Sequence, residues 1–101
     1  MIYLNPTLQF KPRTEIAALY IEYGPLILLL HRHQNKSQGN KWGIPGGKVA
    51  TRETALQAVI REIHEETGYD FSAQSIEPLP KVYVEYTEQD HFIYHMFRTK
   101  S

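Results

Sequence analysis

Apolar residues follow two rhythms along the 101-residue chain, and each predicts a different element. Ile16 to Tyr23 (IAALYIEY) is rich in apolar and aromatic side chains and reads as a strand. Gly24-Pro25 is a turn signal, and Leu26 to His31 reads as a second, more buried strand, so the pair predicts a hairpin. The spacing then changes: Leu56, Val59, Ile60 and Ile63 fall at i, i+3, i+4, i+7, one apolar stripe of a helix facing a core. Thr54 is a suitable N-cap for that helix, Gln57 completes a capping box, and Gly68 is a suitable stop. Alternation returns in Lys81 to Tyr86. His91 to Arg98 is a further strand, with Phe92, Tyr94 and Met96 on one side and Ile93, His95 and Phe97 on the other.

Between these elements the pattern lapses. Met1 to Arg13 carries Ile2, Leu4, Leu8 and Phe10, but Pro6 and Pro12 allow it only an edge position. Gln34 to Lys41 is a polar loop, and Trp42-Gly43-Ile44 is too short to assign. Pro45-Gly46-Gly47-Lys48 predicts a bend whose bare backbone can approach a ligand closely. Asp70 to Glu77 reads as a loose connection and Thr87 to Asp90 as a turn. His31 and His33 would share one side of a strand, but the wet end of a strand is a plainer reading than a metal pair. Trp42 reads first as packing and only second as a stacking surface for a ligand.

Chemistry concentrates on the helix. At about 100° per residue, Glu62, Glu65 and Glu66 cluster in an arc of about 100° away from the apolar stripe. Ala55 and Ala58 are expected on the acids' side, leaving the surface beneath them uncluttered. Like charges at i,i+3 and i,i+4 repel by a few tenths of a kcal/mol per pair, and a hard divalent ion with its preference for oxygen would reverse that sign. A solvated face of a glutamate-rich helix would carry the same three acids. The full run from Gly47 to Tyr69 decides between the two: G-x5-E-x7-R-E-(apolar)-x-E-E-x-G-(apolar). Its seven fixed identities would coincide by chance with probability on the order of 10⁻⁸ or less.

At every defined position that run resembles the signature of Nudix hydrolases. The resemblance implies an α+β fold, a mixed β-sheet with the signature helix packed on it. Here it would lack the C-terminal strand and helix of the family's full α/β/α sandwich. Residues 1–101 then form a single Nudix domain, incomplete at its C-terminus, with an apolar sheet face that a homodimer could cover. By the same resemblance Glu62, Glu65 and Glu66 bind Mg²⁺, with Mn²⁺ as the alternative, and the carbonyl of Gly46 completes the coordination. Glu53 is the additional acid that helps bind metal or position water, and Arg61 is a buried arginine that orients the carboxylates. Gly46, Gly47 and Lys48 would approach the phosphates. The implied reaction is hydrolysis of a nucleoside diphosphate linked to another group.

Substrate markers are thinner. Trp42 to Val49 (WGIPGGKV) is similar to the branch that cleaves ordinary or oxidised nucleoside triphosphates, such as 8-oxo-dGTP, to monophosphates. Tyr86, 17 residues beyond Tyr69, is similar to a marker of diadenosine-polyphosphate hydrolases. The proline of ADP-ribose hydrolases is replaced by Glu85. Glu85, Glu88 and Asp90 are the acids after Glu77, and none makes a convincing general base. A non-catalytic nucleotide-binding module is the alternative, but all four signature glutamates are present.

Composition narrows the partners rather than the chemistry. Eleven basic and eleven acidic residues balance to a formal net charge of zero, so no long-range field advertises a nucleic-acid polymer. Apolar content of 42% and charged content of 22% are those of a globular domain. The longest apolar run, Pro25 to Leu30, is too short for a membrane span, and there is no signal-peptide pattern. With no cysteine, thiolate chemistry is excluded, and a cytoplasmic location is expected.

Overall fold

The computed structural model describes residues 1–7, 9–10, 12–31, 42–87 and 90–100. The expected loop at 34–41, His33 and Glu88 lie outside the described residues. In chain order the elements are β1 (Ile2–Tyr3), β2 (Thr14–Tyr23), β3 (Leu26–Ile27), β4 (Leu30–His31), β5 (Trp42–Gly43), β6 (Gly46–Lys48), helix α1 (Ala55–Thr67), a 3₁₀ turn (Ala73–Ser75), β7 (Glu77–Pro78), β8 (Val82–Glu85) and β9 (His91–Lys100).

Two long strands make the spine. β2 and β9 run parallel from Thr14↔Phe92 to Glu22↔Lys100, and every other pairing in the sheet is antiparallel. The sheet is therefore mixed, with the order β1-β8-β9-β2-β3, β6 joining at β2 and β7 at β9. Period-two alternation gives β2 two distinct faces. Ala17, Leu19 and Ile21 point to one side and, with Phe97 and Ile76, bury against Ala58, Val59 and Ile63 of α1. Leu56 and Ile60 flank that core, half-buried. Ile16, Tyr20, Tyr94 and Met96 belong to the other side and are all half-buried.

Ala58 is fully buried in the core and does not lie beneath the acids as expected. Its methyl group is what lets α1 approach the sheet closely. The expected buried strand Leu26–His31 is instead two short pieces. Leu26 and Ile27 pair with Tyr23 and Glu22, while Leu30 and His31 leave the sheet to pair with Gly43 and Trp42. Leu26, Ile27, Leu28 and Leu29 are exposed. The reason is competition for one edge: β6 pairs with Ile16–Ala18, so β3 holds only the far end of β2. Gly46–Lys48, expected as a bend, is thus a strand.

β2 also explains why that strand carries glycine. A Cβ on Gly46 would stand 2.1 Å from the carbonyl oxygen of Ala17, closer than any side chain allows. The N-terminal segment takes the edge position expected of it, with Ile2 and Tyr3 opposite Val84 and Tyr83. Phe10 packs at 5.2 Å on Tyr83 and 5.4 Å on His91, which ties this segment to the sheet. Within Asp70–Glu77 the chain is more ordered than expected, forming the 3₁₀ turn before β7 pairs with Phe97 and Arg98. Among the described residues no helix is long and apolar enough to cross a membrane.

Candidate active site

Helix α1 is fixed at both ends before any ligand is considered. Thr54 Oγ1 accepts from the Gln57 N–H at 3.1 Å, and Gln57 Oε1 accepts from the Thr54 N–H at 2.9 Å. Gly68, at φ 80°, closes the C-terminus by donating its N–H to the His64 carbonyl at 2.8 Å. With Val59 and Ile63 buried, the acids have one rotational setting relative to the sheet.

Arg61 gathers those acids. Its Nε donates to Glu53 Oε2 at 2.8 Å and its Nη2 to Glu53 Oε1 at 3.0 Å, a bidentate pair. Nη1 donates to Glu62 at 3.0 Å and to Glu65 at 2.6 Å, and Nη2 reaches the Lys48 carbonyl at 3.1 Å. Glu53 Oε1 also accepts the Ala50 N–H at 2.9 Å. The Arg61 hydrogen bonds, with that backbone N–H second, lower the Glu53 pKa from its ordinary 4.5 to about 2. The Arg61 guanidinium is correspondingly held more firmly protonated, Glu53 first and then Glu62 and Glu65 outweighing its desolvation.

Arg61 was expected to be buried, but its side chain is 37% exposed. A guanidinium shared by three carboxylates at the rim keeps part of its hydration, so its contribution to stability is that of a surface network rather than a buried pair.

The acids face the two glycines of β6. Glu66 Oε1 accepts the Gly46 N–H at 3.2 Å. A Cβ on Gly47 would stand 2.4 Å from the carboxyl carbon of Glu62, so glycine there is what allows the carboxylate to lie against β6. Gly46, Gly47 and Lys48 line one wall of a cavity of about 800 Å³, and Arg61, Glu62, Glu65 and Glu66 line another. Its remaining lining is mostly apolar: Ile16, Ala17, Ala18, Leu30, Ile44 and Tyr94, with His31 beside them.

Of the residues the resemblance assigns to metal, phosphate or acid support, all line this cavity except Glu53, whose two oxygens are taken by Arg61 and Ala50. The apolar end went unread. Tyr94 reaches the cavity because β9 runs parallel to β2 and sets it opposite Ile16, a pairing with no local signal. Trp42 is 67% exposed, and its ring lies tilted at 37° to that of His31, centroids 4.9 Å apart. Of the acids after α1, Glu77 pairs with Arg98, Glu85 accepts from Thr7 and Asp90 is exposed. Tyr86 lines a separate cavity with Met1, Gln9 and Glu85.

Oxygen donors on one face of a rigid helix, with a glycine cradle opposite, fit a hard divalent ion in chemistry. Among the described residues no three His, Cys, Asp or Glu side chains already stand as a metal-holding group. Glu62 and Glu65 point to Arg61 in this arrangement.

Known proteins with similar sequences and folds bear on this site. A family model described as the NUDIX domain matches residues 11–101. Over 56 residues the chain is 39% identical to the CTP pyrophosphohydrolase of Escherichia coli, covering 55% of this chain and 42% of that protein. Over 44 residues it is 39% identical to the 8-oxo-dGTP diphosphatase of Proteus vulgaris, covering 44% of this chain and 39% of that protein. The chain spans well under half the length of these curated relatives. Among solved structures, a MutT NUDIX hydrolase from Burkholderia pseudomallei superposes with a TM-score of 0.73 at 27% identity, over 90% of this chain and 68% of that one.

Proposed function

The chain belongs to the Nudix family, and on that premise we propose that it carries the site of a metal-dependent pyrophosphohydrolase acting on nucleoside diphosphate-linked compounds. The substrate class we favour is nucleoside triphosphates, oxidised ones included, cleaved to monophosphate and pyrophosphate. One observation carries this: Glu62, Glu65 and Glu66 share a single cavity with the glycine-bearing strand Gly46–Lys48 and an apolar end. Relatives named for CTP and for 8-oxo-dGTP support the substrate class.

In this reading Glu62, Glu65, Glu66 and the Gly46 carbonyl hold Mg²⁺ or Mn²⁺. A bound divalent ion would neutralise phosphate charge, polarise the attacked phosphorus and acidify a water. The chain's own groups do the rest. Gly47 offers backbone and Lys48 a positive charge to the phosphates, while Arg61 and Glu53 hold the acids in register without touching substrate. Tyr86 is exposed and lines a separate cavity, which gives the diadenosine-polyphosphate reading no support.

Turnover of a nucleoside triphosphate panel with Mg²⁺ in ¹⁸O-labelled water tests the proposal. Monophosphate and pyrophosphate are the expected products, with label at an internal phosphorus. Glu65→Gln should lower kcat by about 10²–10³-fold with little change in Tm. Orthophosphate as first product would overturn the cleavage position. No turnover of any nucleoside diphosphate compound would replace the enzyme with a binding module.

A further inference from the structure

The apolar end of the cavity contains an aromatic arrangement that metal and phosphate chemistry does not use. Tyr94 pairs with Ile16 and Tyr20 with Arg98, so the two tyrosines stand four residues apart along the sheet, about 13 Å. Their hydroxyls nevertheless lie 3.5 Å apart. Both side chains must therefore extend towards each other along the sheet surface instead of standing up from it, the usual direction for a strand residue. They meet over the row formed by Ala18 and Met96, and the Tyr20 hydroxyl also donates to Met96 Sδ at 3.9 Å. Ala18 is only 3% exposed, and its small side chain leaves room for a ring above it.

Resting on the nucleotide reading above, we propose that Tyr94 is a specificity-determining residue: its ring, held down by Tyr20, is the floor on which the planar base of a nucleotide stacks while the phosphates face α1. Three further observations agree with this placement. Ile16, Leu30 and Ile44 line the same cavity as Tyr94 and supply apolar surface that would exclude water from a base. Burial, and then the Tyr20 contact, push the Tyr94 hydroxyl above its ordinary pKa, the direction expected of a ring seated among apolar neighbours rather than in water. Tyr94 and the acids line one continuous cavity of about 800 Å³, a size that suits a small ligand of the nucleotide class. Stacking is tolerant of base identity but scales with ring area, so purines should gain more than pyrimidines.

The test is calorimetric binding, with Mg²⁺, of α,β-methylene GTP, α,β-methylene CTP and base-free methyl triphosphate. Tyr94→Leu removes the ring at similar volume and should weaken the GTP analogue about 10-fold and the CTP analogue less, leaving methyl triphosphate unchanged. Tyr20→Phe frees the ring without removing it, so a loss of about 2- to 3-fold confined to the two nucleotides is expected. Equal losses for nucleotide and methyl triphosphate, or no loss for either, would overturn the proposal. If Tyr94→Leu does not fold, ring-proton shifts of ¹³C-tyrosine-labelled wild type decide the question. Tyr94 should move with the GTP analogue and not with methyl triphosphate, and a stationary Tyr94 overturns the proposal. Tyr94-dependent binding without turnover would sink the enzyme and leave this site standing. Turnover with unchanged binding by Tyr94→Leu would do the reverse, and wild type binding no nucleotide overturns both.

Discussion

Helix α1 and the β4–β5 ribbon border one cavity but are held by opposite means. The helix has both ends capped by its own residues, and Ala58, Val59 and Ile63 are fully buried. The ribbon has two paired positions, and the Leu26–Leu29 segment leading into it is exposed. Few buried contacts mean a low local cost of opening. Acids that must converge within a fraction of an ångström belong on the rigid wall, whereas a wall that admits substrate can be lightly anchored.

Truncating each wall should break the molecule very differently. Ile63→Ala leaves a cavity in the core and should cost about 2–5 kcal/mol, read by denaturant unfolding. Leu28→Ala, on a side chain 44% exposed, should stay within about 0.5 kcal/mol. Comparable losses would mean that the segment leading into the ribbon carries core weight.

How far this contrast was legible from the sequence follows from its chemistry. Thr54, Gln57, Gly68 and the Leu56–Ile63 stripe act within one or two helical turns, so spacing alone locates α1 and its acids. The division of Leu26–His31 depends on β6 competing for the edge of β2, a matter of three strands at once. Tyr94 enters the site only through parallel pairing with a strand about 80 residues earlier. Arg61 was legible as the partner of the acids, but its position at the cavity rim depends on where β6 lies.

A smaller effect probes that partnership. Arg61→Ala should cost about 1 kcal/mol, because the guanidinium is over a third exposed and solvent shares in its pairing. It should also release Glu62 and Glu65, so turnover falls more than stability does. A loss of several kcal/mol would show that the network is effectively buried.

The smallest expected effect is pH-dependent. Glu53 titrates near 2 when folded and near 4.5 ordinarily, so its stabilisation is fully present above about 4.5 and is lost as pH falls towards 2. The Tm advantage of wild type over Glu53→Gln should be constant from neutrality to about pH 4.5 and shrink below it. An advantage that persists unchanged at pH 2 would separate Glu53 from Arg61.

Paramagnetic broadening of backbone amide signals by Mn²⁺, with α,β-methylene GTP present, reads most directly whether the rigid wall is the metal site. Gly46–Lys48 and Glu62–Glu66 should broaden first and together, while Leu28, Glu85 and Tyr86 stay sharp. Broadening centred on Glu85 and Tyr86, or none at α1 at saturating nucleotide, would contradict the account.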